Sequence, residues 1–546
     1  MPLPDLLVLL LFALIVFATG MSFASSGSSM SNFFAAGGAV PWWINGLSLF
    51  MSFFSAGTFV VWGAIAYADG WVSVSIQWTM AIAGLLIGIF IAGRWRKTGA
   101  LTAAQYLSER FGGRAQNVYT WLFLLISVFT TGAFLYPVAK IVEVSTGLNL
   151  QLSILLLGAL ITLYTAIGGL WAVIVTDVLQ FVVLTAAVLI VVPLSFEQVG
   201  GVDAFVANAP EGFFSLVNEE YSGLFMMAFG LYNLVFIGGN WAYVQRYTSV
   251  ATPKEARKVS WLFSSLYVIS PVIWMLPPML YRLVQPDLND LAGEGAYLMM
   301  CKEVMPSGML GLILGGMIFA TASSVNTTLN IAAGVLTHDV YQPLYPQSAD
   351  RTLMRFARLA TAGFGSLTIL VALLIPQLGG IVEVVLSLAA ITGGALYLPP
   401  IWTLFSRKQT AVSILSTTLL SLAINGFLKF LSPIWFGFSL SRAAEMGLGV
   451  AVPVLLLLSW EILGKKHAAP FSQAIPPSDS PVAPTAPANR AAIAKIGYSV
   501  LAIGLLMLGL GLYETTGRWL TLALGALISA LGGWLAMNNR TSTPSR

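Results

Sequence analysis

Fifteen stretches of the chain are apolar over about 20 residues, the length an α-helix needs to cross the hydrocarbon core of a bilayer. They fall near residues 3–24, 43–66, 73–93, 116–145, 150–168, 172–195, 221–246, 259–283, 306–342, 354–375, 379–405, 411–431, 446–464, 494–513 and 518–537. The composition fits that reading: of 546 residues, 57% are hydrophobic and only 9% charged, with a mean hydropathy of +0.85. Soluble domains carry roughly a quarter charged residues. The fold class expected is an all-α polytopic membrane protein of about 15 spans. The 26 basic residues form no block suited to nucleic acid. One cysteine, Cys301, excludes an internal disulfide, and with only two histidines, His338 and His467, no Cys/His zinc centre can be built.

Loop charge sets the expected orientation, because Lys and Arg collect on the cytoplasmic side. Arg94, Arg96, Lys97, Arg110 and Arg114 share one connection, and Lys254, Arg257 and Lys258 another. Arg351, Arg355 and Arg358, then Arg407 and Lys408, then Lys465 and Lys466 fall on the same side when the spans alternate. The segment from Glu197 to Glu220 has five acids and no Lys or Arg, so it belongs outside. A multi-pass protein of the plasma (bacterial inner) membrane follows, with its N-terminus outside and its C-terminus in the cytoplasm. The first apolar run has no basic n-region and is read as a retained span. From Lys465 to Arg490 the chain turns rich in Pro, Ala and Ser, the composition of a linker.

Polar residues interrupt the apolar pattern in few places. Met-Ser-Phe-Phe-Ser-Ala-Gly-Thr, residues 51–58, reads as a broken helix; Asn233, Gly238, Gly239 and Asn240 interrupt the seventh span, five spans later and of opposite orientation. Paired discontinuous spans in two halves point to a secondary-transporter binding site built on an inverted repeat. Close helix packing by small residues is the bland alternative. The adjacent hydroxyls of Ser323 and Ser324, deep in the ninth span, must face protein, water or an ion. Local bonding to their own backbone is the competing reading.

Four pieces in order carry a family resemblance: Phe33 to Gly38 before Pro41-Trp42-Trp43; Gly168-Gly169-Leu170-Trp171-Ala172-Val173 leading to Thr176-Asp177-Val178-Leu179-Gln180; Gln245-Arg246; and Ser323-Ser324 followed by Asp339-Val340-Tyr341. Through most of its length the chain resembles the sodium/solute symporter family, relatives of the sodium–glucose and sodium–proline cotransporters. The resemblance implies a leucine-transporter-like 5+5 inverted repeat with extra N- and C-terminal spans. Residues 1–42 would form an extra span and its cytoplasmic connection, 43–195 the first repeat, 196–220 an acidic extracellular loop, and 221–405 the second repeat. Residues 406–464 would add two peripheral spans, 465–493 the linker, and 494–546 a terminal hairpin and tail.

The resemblance also implies ligands. A sodium ion would sit between spans two and nine, held by the carbonyls of Met51, Phe54 and Ala320 and the hydroxyls of Ser323 and Ser324. Sodium is a hard cation that favours oxygen, which agrees. Asp177 aligns with a carboxylate that in some members makes a second sodium site, here with Ser323, Asn326 and Thr327; the other reading of Asp177 is a solvated helix-start carboxylate. Phe53, Thr58, Gln77, Asn233 and Phe236 would line the solute pocket, with Phe236 as the inner gate. Sugar transporters of the family carry a carboxylate at Gln77 and a glutamine at Thr58, and the proline carrier an acid at Phe53. An uncharged aromatic pocket favours a small neutral polar or amphipathic solute, sugar-like or amino-acid-like.

The function expected is therefore sodium-coupled symport by alternating access. The expected partners are a small solute, sodium and the lipid bilayer, with no nucleic acid, no protein partner and no organic cofactor. Proton coupling stays open. A solute sensor or passive channel on the same scaffold is the alternative. A membrane-embedded enzyme is a further one, with Asp177, His338, Asp339 or Glu383 as acid–base groups; no two of these form a spaced motif.

Overall fold

The computed structural model describes residues 2–22, 40–100, 103–164, 170–464 and 486–539. Residues 33–38, Gly168 and Gly169 of the family pieces and linker residues 465–485 lie outside them, as do the side chains of Trp171 to Thr176, Ser323, Thr327, His338 and Asp339. Every regular element among the described residues is helical, as a backbone surrounded by lipid requires.

Helix α1 runs over Leu3–Met21 and α2 over Trp42–Met51. After a break the chain resumes as a wide π-helical turn, Thr58–Trp62, and α3, Gly63–Asp69. Then follow α4, Val72–Phe90; α5, Gly113–Thr146; α6, Leu150–Tyr164; and α7, Leu170–Gln198. Next come α8, Gly223–Gly239; α9, Trp241–Thr248; α10, Pro253–Trp274; α11, Met309–Val335; and α12, Asp350–Leu374. The chain ends with α13, Ile381–Thr403; α14, Ala411–Gly426; α15, Arg442–Leu463; α16, Ala486–Tyr513; and α17, Arg518–Asn538.

Starts are written in local chemistry. Ser222, Thr252 and Ser441 each accept a backbone N–H in the first turn of the helix that follows, and Thr410 with Ser413 forms a capping box.

By length and apolarity, eleven helices among the described residues suffice to cross a membrane, or twelve if the pair α8 and α9, bent by 59°, is one span. The sequence expectation of fifteen is not reached by that measure. Leu3–Thr19 and Leu150–Thr162 are short apolar helices, and the expected span 43–66 is divided between α2 and the Thr58–Asp69 segment, each half a bilayer long.

The site is held by α2 packing on α7 and α10, and by α11 packing on α5 and α7. Basic connections meet at one end of the molecule: Arg96 Nε donates to Val250 O at 2.7 Å, Arg94 lies 4.3 Å from the Phe405 ring centre, and Arg110 Nη2 donates to Ser406 O at 2.6 Å. Elsewhere the acidic loop meets α15 through Arg442 and Glu220, 2.6 Å apart, and α3 through Asn218, whose amide donates to Asp69 at 2.9 Å.

Candidate ion and solute site

A broken membrane helix must place every freed amide, since a buried unpaired N–H costs as much as a lost hydrogen bond. Each amide from Ser52 to Thr58 has a partner. Ser52 N donates to Ser48 O at 3.0 Å, Phe53 N and Phe54 N to Phe50 O at 3.0 and 2.9 Å, and Thr58 N to Ser55 O at 3.0 Å. Side chains take the rest: Ser55 N donates to Thr58 Oγ1 at 3.2 Å, Gly57 N to Ser55 Oγ at 3.3 Å, and Ala56 N to Thr321 Oγ1 of α11 at 2.9 Å. None of these bonds is accepted by the carbonyl of Met51 or Phe54, the two expected sodium ligands, and both residues are buried. Ala320, the third carbonyl, is buried on the facing helix.

Beside the break lies a cavity lined by Ser52, Ser127, Thr130, Asp177, Arg246 and Ser324, with Thr328, Asn240, Tyr243 and Tyr397 completing the polar wall. Ser324 thus faces this cavity. Its hydroxyl also makes a 3.4 Å bond to Ala320 O, one turn back, so the local reading and the ion reading share one geometry. Asp177 is buried, and its Oδ2 accepts Ser48 Oγ at 2.7 Å. Of its expected partners at a second ion position, Asn326 is buried and does not line the cavity, while Ser323 and Thr327 have side chains outside the described residues. Ser324 and Thr328 share the cavity with Asp177 instead. Buried Arg246, whose Nη1 donates to Ala242 O at 2.9 Å, puts an opposite charge on the same wall.

The expected solute residues separate into two groups. The Phe53 ring packs against Tyr243 at 4.5 Å, Phe263 at 5.4 Å and Phe236 at 6.2 Å, and Phe236 packs against Tyr232 at 5.2 Å and Tyr397 at 5.5 Å. Phe53 and Phe236 therefore sit in one aromatic cluster, of which Tyr243 and Tyr397 reach the cavity. Thr58 differs: its hydroxyl donates to Phe53 O and accepts Ser55 N, so it closes the break. Gln77 and Asn233 are buried and bonded to neighbours, Ser73 O at 3.2 Å and Thr79 Oγ1 at 2.9 Å. Their side-chain carbonyl oxygens have no partner among the described residues.

A profile of the family described as "SSF: Sodium:solute symporter family" matches residues 33–420. The chain belongs to the sodium:solute symporter family. Among the similar proteins, the sodium/glucose cotransporter 1 of Ovis aries is 26% identical over 401 residues, 65% of this chain and 60% of that one. The sodium/glucose cotransporter of Vibrio parahaemolyticus is 28% identical over 414 residues, 69% of this chain and 75% of that one. The match thus spans less than two thirds of the sheep protein. A Na+-coupled sialic acid symporter, solved substrate-bound and outward-open, superposes with a TM-score of 0.71 at 21% identity over 86% of this chain and 100% of that one. That likeness establishes a shared fold. The family and these relatives are transporters, not enzymes.

Sequence reasoning missed several residues of this cavity and of the break beside it. Thr321, Tyr243, Tyr397 and Thr328 each occur in apolar helices where a lone hydroxyl or ring is ordinary, and only their shared cavity or cross-helix bond singles them out. Away from this cavity, Glu294 is buried in the connection after α10, with Oε2 accepting Tyr136 OH at 2.8 Å and Oε1 accepting Ile381 N at 3.0 Å. Burial pushes its carboxyl up, and those two bonds oppose the rise. Lys140 and Glu143, three residues apart on one face of α5, pair at 2.9 Å.

Proposed function

We propose that the protein is a sodium-coupled secondary active symporter that imports a small neutral polar or amphipathic solute by alternating access. The observation that carries this reading is the position of Ser52, from the broken helix, and Ser324, from α11, on one cavity beside carbonyls that the break leaves out of its own hydrogen bonding. Sodium would take the Met51, Phe54 and Ala320 carbonyls with the Ser323 and Ser324 hydroxyls, drawing the break onto α11. Asp177 would hold a second ion with Ser324 and Thr328 in place of Asn326.

In this reading fifteen segments cross the membrane. Residues 43–195 and 221–405 form the inverted halves, with α16 and α17 as a peripheral hairpin. The basic ends lie in the cytoplasm, the N-terminus lies outside, and the protein sits in the bacterial inner membrane. Solute stacks on the Phe53–Phe236 cluster, and the free oxygens of Gln77 and Asn233 accept its donors when the cluster opens. One ion moving down a potential of about 100 mV supplies roughly 2.3 kcal/mol, and a tenfold gradient adds about 1.4 kcal/mol. The sum, roughly 3.7 kcal/mol, sustains about 500-fold accumulation. Purified protein in liposomes, given an inward sodium gradient and a panel of labelled sugars, amino acids and nucleosides, tests the reading. Accumulation of one class that collapses when the gradient is dissipated supports it, and downhill equilibration indifferent to sodium contradicts it.

A further inference from the structure

The amide of Ala56 is the only one in the 52–58 break whose acceptor lies on a helix distant in sequence. It donates at 2.9 Å to Thr321 Oγ1, 265 positions later, and both residues are fully buried. A threonine in an apolar helix ordinarily bonds the carbonyl one turn back, and Thr321 does so, donating to Met317 O at 3.0 Å. That bond uses the hydroxyl proton and leaves the oxygen lone pairs free to accept. A serine or threonine is what the position requires, because valine or alanine offers no acceptor. Thr321 also follows Ala320 directly and lies one turn before Ser324 and two turns before Thr328, so the clamp and the ion ligands share one helix.

We propose that Thr321 is a positioning residue for the ion site: its hydroxyl clamps the broken helix to α11 before sodium arrives, so that the carbonyls of Met51 and Phe54 are already turned toward their partners. This rests on the ion site proposed above. With the clamp, the binding-competent arrangement of the break is the resting one. Without it, the Ala56 amide seeks another acceptor, the competent fraction falls, and apparent affinity falls in proportion. Bound sodium then restores the arrangement, so capacity is kept and half-saturation moves.

The test is binding of radiolabelled sodium alone to the purified full chain, comparing wild type, Thr321→Val, Thr321→Ser and Ser324→Ala. Half-saturation should rise about tenfold in Thr321→Val at unchanged capacity, stay within about twofold in Thr321→Ser, and lose saturation in Ser324→Ala. Wild-type half-saturation in Thr321→Val beside a defective Ser324→Ala overturns the clamp and leaves the ion site standing. Wild-type binding in Ser324→Ala overturns the ion site and the clamp with it. Hydrogen exchange on the sodium-free wild-type chain covers the case in which Thr321→Val does not fold. The peptide carrying Ala56 should be protected there, and exchange at the rate of an open loop contradicts the clamp.

Discussion

Thr58, aligned to a solute-binding position, has its hydroxyl engaged within the break: it donates to Phe53 O and accepts Ser55 N, closing the break on itself. Thr58→Val leaves both backbone groups buried without partners and should lower stability by about 1–3 kcal/mol for each, with Thr58→Ser restoring it. Thermal unfolding of the purified variants measures this. Sequence fixes which residues share a helix face, but a break abolishes the helical offset, so partners across it cannot be counted from spacing.

Asp69, the last residue of α3, gives a pH signature. Burial and the nearby Glu220 raise its carboxyl to about 6, with Arg442 and the Asn218 amide pulling the other way. Between about pH 4 and 6 the folded chain holds more protons than the unfolded one, so this group's contribution to stability falls as pH rises through that window. The wild-type melting temperature should drop more than that of Asp69→Asn between pH 5 and 7.5. Parallel curves would show that Asp69 does not titrate in this window.

At the scale of elements, most of the fold was legible and the exceptions share a cause. Long apolar runs became single helices, because burial of backbone in lipid leaves the chain no other choice. Counting fails where α2 and α3 divide one apolar run, since composition reports apolarity and not continuity. The bend between α8 and α9 falls at Asn240, next to Gly238 and Gly239, where polar and small residues interrupt the apolar run. Asn240 caps α9 by accepting Ala242 N at 3.0 Å and donates to Tyr397 OH at 3.2 Å. At Gly239 an added Cβ would come within 2.9 Å of Tyr397 O, so the glycine is what lets α8 meet α13. Glu294 was illegible, because an acid in a loop signals nothing until its partners on α5 and α13 are seen. Glu294→Ala should free that connection from Tyr136 and Ile381. Labelling of a cysteine placed at Val144, beside Gly295, should then quicken severalfold over the same cysteine in an otherwise wild-type chain; equal rates would mean that Glu294 does not hold the connection.

At the scale of the molecule, function depends on how many ions one cycle carries. Asp177 shares a cavity with Ser324 and Thr328, so Asp177→Asn should lower the Hill coefficient for sodium activation of uptake from near 2 toward 1. A wild-type value of 1 excludes the second ion. The hairpin of α16 and α17 does not enter this arithmetic. Its helices close on each other at Gly504, where a Cβ would stand 2.4 Å from Ser529 Oγ, and they pack on α1 and α7, away from the cavity.

A sodium ion bridging the break and α11 is the centre of the proposed mechanism, and equilibrium binding of radiolabelled sodium to the purified wild-type chain and its Ser324→Ala variant tests this most directly. Saturable binding in the wild type that disappears in a folded Ser324→Ala protein is the expected result. Equal saturable binding in both would contradict it.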